Sequence, residues 1–131
     1  MKLITLVSVL LVGLCWPGWA AEGKKKKENK GTLQHVVCFK FKDNASETQV
    51  QELVKAFGEL PNQIKEIKGF EWGTNVSPEK HAKGFTHCFI VTFKTEKARN
   101  TYLDHPAHQE FAKLVGPIVA DVFVIDFWAQ K

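Results

Sequence analysis

The order of strand-like and helix-like segments constrains the fold of this chain more than any other feature of its sequence. The first strand-like run is β-branched and aromatic and ends by alternating Phe with Lys. A strand–helix–strand order then occurs twice, with two helical segments in the second half. The predicted elements, in chain order, are strand 33–42, helix 47–67, strand 70–76, strand 85–93, helix 96–103, helix 106–115 and strand 119–128. This order predicts a ferredoxin-like α+β domain, β-α-β-β-α-α-β, with one four-stranded antiparallel sheet.

Local signals mark where the helices begin and end. Ser46 and Gln49 are spaced as a capping box, which predicts a helix beginning immediately after Ser46. Pro61 is expected to start a new turn or kink this helix. Gly116 and Pro117 are expected to stop the last helix at about Val115.

A ferredoxin-like subunit has helices on one face of its sheet, so the composition of the other face matters. That face is expected to carry Val36, Cys38, Cys88, Ile90, Val122, Val124 and Trp128. It is too apolar for open water. The sequence therefore predicts a homodimer in which two sheets close against each other.

The basic character of the chain comes from its N-terminus. Residues 1–20 combine Lys2, a short apolar run and small residues before a cut after Ala20, which predicts a cleaved signal peptide and a secreted or periplasmic protein. An uncleaved membrane anchor is the alternative; after cleavage no stable membrane insertion is expected. Residues 21–31 are a lysine-rich stretch typical of a disordered linker. Residues 31–131 hold twelve basic and twelve acidic residues, so the domain at 32–131 gives no reason to expect nucleic-acid binding.

Four histidines and one tyrosine are the candidate functional residues. His35 and His87 are the outermost inward residues of their strands, and with these strands taken as parallel neighbours the two imidazoles are expected to lie side by side. His105 falls at the break between two helices, and His108 in the first helical turn, where a helix N-terminus lowers the pKa of an imidazole. Tyr102 precedes them. Each of these residues also has a purely structural interpretation, as a core or helix-capping side chain.

The same strand assumption bears on the two cysteines outside the predicted signal peptide. With parallel strands, Cys38 and Cys88 are staggered by two residues, and their Cα atoms are then roughly 8 Å apart. That distance exceeds disulfide reach. Two free, buried thiols are predicted.

Three motifs make the chain recognisable. The run Gln34-His35-Val36-Val37-Cys38-Phe39-Lys40-Phe41-Lys42-Asp43, the run Gly84-Phe85-Thr86-His87 and the run Tyr102-Leu103-Asp104-His105-Pro106-Ala107-His108 together resemble the stress-responsive dimeric α/β-barrel (Dabb) family over residues 32–128. The resemblance implies a homodimer of ferredoxin-like subunits. The polyketide-cyclase members that the chain resembles imply His108 as general base, Tyr102 as the hydroxyl that polarises a carbonyl, and His35 and His87 as pocket residues.

These observations leave three functional hypotheses. The first is an exported protein that binds a small hydrophobic or carbonyl-containing molecule in a pocket lined by His35, His87, His105 and Tyr102. The second is a cyclase-like or lyase-like enzyme that uses Tyr102 and His108 on an enolisable carbonyl compound. The third is metal or haem binding by the histidines, although no His/Cys spacing has a metal-site signature and no cofactor is predicted.

Overall fold

The computed structural model describes residues 31–130, which form four strands and three helices. In chain order these elements are β1 (Leu33–Phe41), α1 (Glu47–Gln63), β2 (Gly69–Thr74), β3 (His87–Phe93), α2 (Glu96–Asp104), α3 (Pro106–Ile118) and β4 (Val119–Trp128). The ferredoxin-like α+β order is confirmed. The predicted signal peptide at 1–20 and nearly all of the predicted linker at 21–31 lie outside the described residues.

The sheet has the strand order β2-β3-β1-β4, and every neighbouring pair is antiparallel. The prediction that β1 and β3 run parallel is therefore wrong. The helical crossover makes β1 and β2 parallel, and the connection over residues 75–86 reverses the chain, so β3 runs against both. His35 pairs with Val91 and His87 pairs with Phe39, which places the two histidines at opposite ends of the β1–β3 pair.

The helices begin where the sequence predicts, but α1 ends at Gln63, before the predicted residue 67, and α3 continues to Ile118, past the predicted Val115. Ser46 caps α1, with both hydrogen bonds of the capping box present. Pro61 lies inside α1 and Pro117 lies inside α3. Each proline occupies the last turn of its helix, where its missing N–H removes only one hydrogen bond, so neither ends the helix at once.

The core lies between the helix layer and one face of the sheet. Alternate strand residues point into it, as the period-two pattern of β1 predicts. α1 contributes Leu53, Phe57 and Leu60, all fully buried. The strand residues of this core are Leu33, Val37, Phe39, Phe89, Val91, Phe93 and Val119.

The faces of β4 differ from the prediction. Val124 lies opposite Val37, and Asp126 lies opposite His35, so the even-numbered residues of β4 share the helix-covered face. Val122, Val124 and Trp128 therefore do not belong to the outer face. That face carries Phe123, Ile125 and Phe127, which are 49%, 49% and 46% exposed. Apolar residues occupy consecutive positions from 122 to 125, so alternation alone could not decide which set points inward.

The two cysteines also lie closer together than predicted. Cys38 is the direct cross-strand partner of Cys88. Directly opposed residues of antiparallel strands have Cα atoms about 4.5–5.5 Å apart, within the range of a disulfide. Both thiols are free in the structure, as predicted, and both are partly exposed. The predicted stagger was wrong because it assumed parallel strands.

Candidate functional site

A cavity of about 540 Å³ lies between the sheet and helices α2 and α3. Its wall is largely apolar. The polar side chains in that wall belong to His35, Tyr102, His108 and Asp126. The apolar residues that line the cavity are Val37, Phe39, Phe57, Leu103, Phe111, Ala112, Val115, Val122 and Val124, with Gly116.

His35 is oriented by a carboxylate on the neighbouring strand. Its Nδ1 lies 2.6 Å from Asp126 Oδ1. The other carboxylate oxygen of Asp126 forms an ion pair with Arg99 of α2. Burial and the Arg99 charge together lower the pKa of His35 to about 4. A neutral imidazole next to a carboxylate must donate from Nδ1, so the lone pair of His35 is on Nε2.

His108 is oriented by the backbone. Its Nδ1 lies 3.1 Å from the carbonyl oxygen of Leu103, which can only accept a hydrogen bond. The proton is therefore on Nδ1, and Nε2 carries the lone pair. Burial is the largest effect on its pKa, which is lowered; His35 contributes in the same direction and the Leu103 hydrogen bond opposes it. The expected direction of the shift is confirmed, and burial is its largest cause.

Tyr102 lies between the two imidazoles. Its ring centroid is 5.7 Å from that of His35 and 4.5 Å from that of His108. The side chain is 1% exposed, and burial raises the pKa of its phenol, which stays protonated at neutral pH. Within residues 31–130 its hydroxyl forms no hydrogen bond. Every fully buried side-chain polar atom in that range has a hydrogen-bond partner, so this hydroxyl is not fully buried. The hydroxyl must therefore reach the solvent of the cavity that the ring borders.

The same reasoning applies to the two imidazoles. Neither Nε2 atom takes part in a hydrogen bond within the described chain, so both must reach solvent at the cavity wall. The structure thus brings together His35, Tyr102 and His108, three of the residues that the sequence singled out. Two neutral imidazoles can accept protons, and a protonated phenol can donate a hydrogen bond. This combination is suited to proton transfer on a bound neutral molecule.

The structure separates His87 and His105 from this cavity. His87 is four residues from His35 in strand register, or roughly 13 Å along the sheet. It stacks on Trp72, with parallel rings 6.2 Å apart, and borders a different cavity. The expectation that His35 and His87 are neighbours is wrong, because it depended on parallel strands. His105 is the residue between α2 and α3, and its Nδ1 accepts a hydrogen bond from the Ala107 amide, so it caps α3.

Sequence reasoning missed Asp126 and Arg99. The predicted inward face of β4 is the odd-numbered one, which excludes Asp126, whereas the pairing of Asp126 with His35 puts it on the helix-covered face. A charged residue between the apolar Ile125 and Phe127 of a largely apolar strand is the available signal. Arg99, the single arginine of the sequence, lies on the short, polar helix α2, where no local pattern connects it to Asp126. Only the packing of α2 against the sheet brings it to Asp126.

Among residues 31–130, no group of three or more His, Cys, Asp or Glu side chains is arranged to hold a metal ion. In the same range, no helix has the length and hydropathy needed to cross a membrane.

The fold is that of the ferredoxin-like α+β proteins, and solved structures at 24%, 20% and 22% identity that are described as dimeric and ferredoxin-like share it. The chain belongs to the stress-responsive A/B barrel domain (Dabb) family, whose sequence model matches residues 33–129.

The chain is also similar to three plant proteins. It is 41% identical over 101 residues to the stress-response A/B barrel domain-containing protein HS1 of Arabidopsis thaliana, covering 77% of this chain and 93% of that protein. It is 30% identical over 99 residues to olivetolic acid cyclase of Cannabis sativa, covering 76% and 98%. The solved structure of a hydroxynitrile lyase from Passiflora edulis is 28% identical, with a TM-score of 0.73 and coverage of 78% and 96%.

Proposed function

We propose that the cavity bordered by His35, Tyr102 and His108 binds a small, largely apolar carbonyl compound and catalyses proton transfer at the carbon next to the carbonyl. One observation carries the proposal. His35, Tyr102 and His108 line the same largely apolar cavity, and no hydrogen bond within residues 31–130 engages either Nε2 atom or the phenol hydroxyl. Perturbed titratable groups that converge on an apolar cavity are typical of an active site.

The roles follow from the proton positions. His108 carries its proton on Nδ1, so Nε2 removes the proton from the substrate carbon. Tyr102 donates a hydrogen bond to the carbonyl oxygen and stabilises the negative charge that develops there. The raised pKa of Tyr102 keeps that donor protonated. The imidazolium of His108 then returns a proton to the same carbon, which restores the carbonyl compound and the neutral imidazole.

The named relatives support this class of reaction. One is a cyclase and another is a hydroxynitrile lyase. A third, at higher identity, is named only as a stress-response protein. The shared family therefore supports small-molecule chemistry in general, and the proton-transfer proposal depends on the geometry of this cavity.

Exchange of carbon-bound hydrogen tests the proposal without a known substrate. The protein is incubated in D₂O with a panel of medium-chain methyl ketones, and deuterium incorporation next to the carbonyl is followed by NMR. We expect exchange above the buffer rate, reduced about 100-fold or more in His108→Gln and clearly reduced in Tyr102→Phe. His81→Gln, which changes an exposed histidine outside the cavity, is the matched control and should exchange like the unmodified protein.

Binding without catalysis is the competing outcome. If the ketones bind in the cavity but exchange no faster than in buffer, the catalytic part of the proposal fails. The protein is then a small-molecule carrier or sensor that uses the same cavity.

The outer face of the sheet supports a homodimer. Phe123, Ile125 and Phe127 are each about half exposed. Within residues 31–130 no helix covers this face, which also carries Val36 and Ile90. A contiguous apolar face of this kind favours association of two subunits through their sheets.

Export remains part of the proposal, on the basis of the sequence alone. Cleavage after Ala20 removes Lys2 and lowers the formal charge from +4 to +3, leaving the lysine-rich residues 21–31 at the new N-terminus. Mass spectrometry of the protein purified from its native source tests this directly. An N-terminus at Ala21 supports export, and an intact Met1 or Lys2 contradicts cleavage.

A further inference from the structure

We infer that the cavity selects neutral molecules that carry a hydroxyl group, such as phenols and hydroxyketones, and that Arg99 sets this selectivity through its ion pair with Asp126, the carboxylate that orients His35. The inference rests on the proposed function only for the location of the ligand. It concerns which ligands bind, whether or not they react.

A count of donors and acceptors leads to the hydroxyl group. The Nε2 atoms of His35 and His108 are both acceptors, because each ring has its proton on Nδ1. Tyr102 supplies one hydroxyl donor. The cavity wall therefore presents two imidazole acceptors against one phenol donor. A ligand without a donor leaves an imidazole nitrogen desolvated and unpaired, which costs binding free energy. A ligand hydroxyl provides the missing donor.

The charges around His35 exclude anions. Asp126 faces it from β4, Arg99 and Tyr102 from α2, and His108 from α3; the β3 residue paired with it is Val91, which has no charge. Of these groups, Asp126 borders the cavity and Arg99 does not. The described residues that line the cavity include no lysine or arginine. A carboxylate ligand would therefore face a carboxylate and two neutral imidazoles.

Arg99 is a positioning residue in this arrangement. A carboxylate beside an imidazole ordinarily favours the imidazolium. Arg99 neutralises Asp126 through its ion pair and places a positive charge near His35, which opposes protonation. Without Arg99, His35 should protonate in mildly acidic solution. Its Nε2 would then be a donor with a positive charge, and the cavity would accept carboxylates.

Three probes of one shape test the selectivity: para-butylphenol, para-butylanisole and para-butylbenzoate, each titrated by calorimetry. The anisole differs from the phenol by the loss of its donor, and the benzoate carries the charge. In the unmodified protein we expect the phenol to bind about tenfold tighter than the anisole, the value of one good hydrogen bond. Binding of the benzoate should be weak at neutral and at mildly acidic pH. Equal affinity for phenol and anisole, or no binding of the phenol, overturns the inference.

The role of Arg99 is tested by Arg99→Gln. This variant should bind the benzoate about fivefold or more tightly when the pH falls from neutral to mildly acidic, as His35 becomes protonated. Arg99→Lys should restore the behaviour of the unmodified protein, and Lys97→Gln, which removes an exposed charge from the same helix, should not change it. An Arg99→Gln variant that binds benzoate equally at both pH values contradicts the assigned role.

The two proposals can fail separately. Preference for the phenol with no carbon-bound hydrogen exchange leaves the selectivity standing and removes the proposed reaction. Exchange without any preference for the phenol removes the selectivity and leaves the reaction.

Discussion

His35 Nδ1 lies 2.6 Å from Asp126 Oδ1 across the β1–β4 pair, and Arg99 holds the other oxygen of the same carboxylate. The His35 side chain is 7% exposed, so this contact is nearly removed from water. The arrangement links two strands and a helix through one carboxylate.

Removal of that carboxylate should destabilise the fold. Asp126→Ala leaves the donors of His35 and Arg99 without their acceptor, and we expect a loss of about 1–3 kcal/mol in the free energy of unfolding, measured by urea titration. Glu110→Ala is the control, because Glu110 pairs with Lys113 at the surface, where both side chains are about 70% exposed. That loss should be about 0.5 kcal/mol or less. Equal losses in the two variants would contradict the account of Asp126.

Stability should fall in acid, with His35 as one cause. The pKa of His35 is lowered to about 4 in the folded protein, from 6.5 in the unfolded chain, so between these values the unfolded state binds more protons. The contribution of His35 to the free energy of unfolding is therefore fully present above about pH 6.5. It is lost progressively as the pH falls towards 4. The lowered pKa values of His87 and His108 act in the same direction. Urea midpoints across this range should vary less in His35→Gln than in the unmodified protein; an identical dependence would show that His35 does not contribute.

Cys38 should react slowly in the reduced, folded protein. Burial and a hydrogen bond to Cys88 raise the pKa of the Cys38 thiol to about 11, so little thiolate is present at about pH 8. Peptide mass spectrometry after a timed exposure to iodoacetamide should show alkylation of Cys38 about tenfold or more slowly than in urea. Equal rates in the folded and unfolded protein, or a Cys38–Cys88 disulfide in protein purified without oxidant, would contradict the structure.

The proposed dimer should separate when its apolar face is charged. Ile125→Glu places a carboxylate in the middle of the outer face of β4, and we expect a shift from dimer to monomer in analytical ultracentrifugation. Leu114→Glu is the matched control, since Leu114 is 42% exposed on α3, away from that face, against 49% for Ile125. It should remain dimeric. A dimeric Ile125→Glu protein would show that the sheets do not meet there.

The sequence predicted the elements of the fold well because their signals are local. The capping box at Ser46 and the alternation in β1 depend only on neighbouring residues. The relative directions of strands and the inward face of β4 depend on the whole topology, and both were misjudged. Parallel β1 and β3 strands would put His87 beside His35 and separate Cys38 from Cys88, whereas the antiparallel pairing separates the histidines and puts the cysteines opposite each other.

The site was predicted only in part for the same reason. His35, Tyr102 and His108 belong to recognisable motifs, whereas Asp126 and Arg99 are 27 residues apart and meet only through the packing of α2 against β4. Their importance lies in holding the proton of His35 on Nδ1. A single sequence carries no direct signal for such a relation.

The central claim is that His35 and His108 present unprotonated Nε2 atoms to one cavity. A long-range ¹H–¹⁵N NMR spectrum of the histidine side chains at neutral pH tests it most directly, because it distinguishes the two neutral tautomers and the imidazolium. We predict that both residues are neutral with the proton on Nδ1, and that a bound phenol shifts the Nε2 signals of both. An imidazolium or an Nε2-protonated ring at either position would contradict the account.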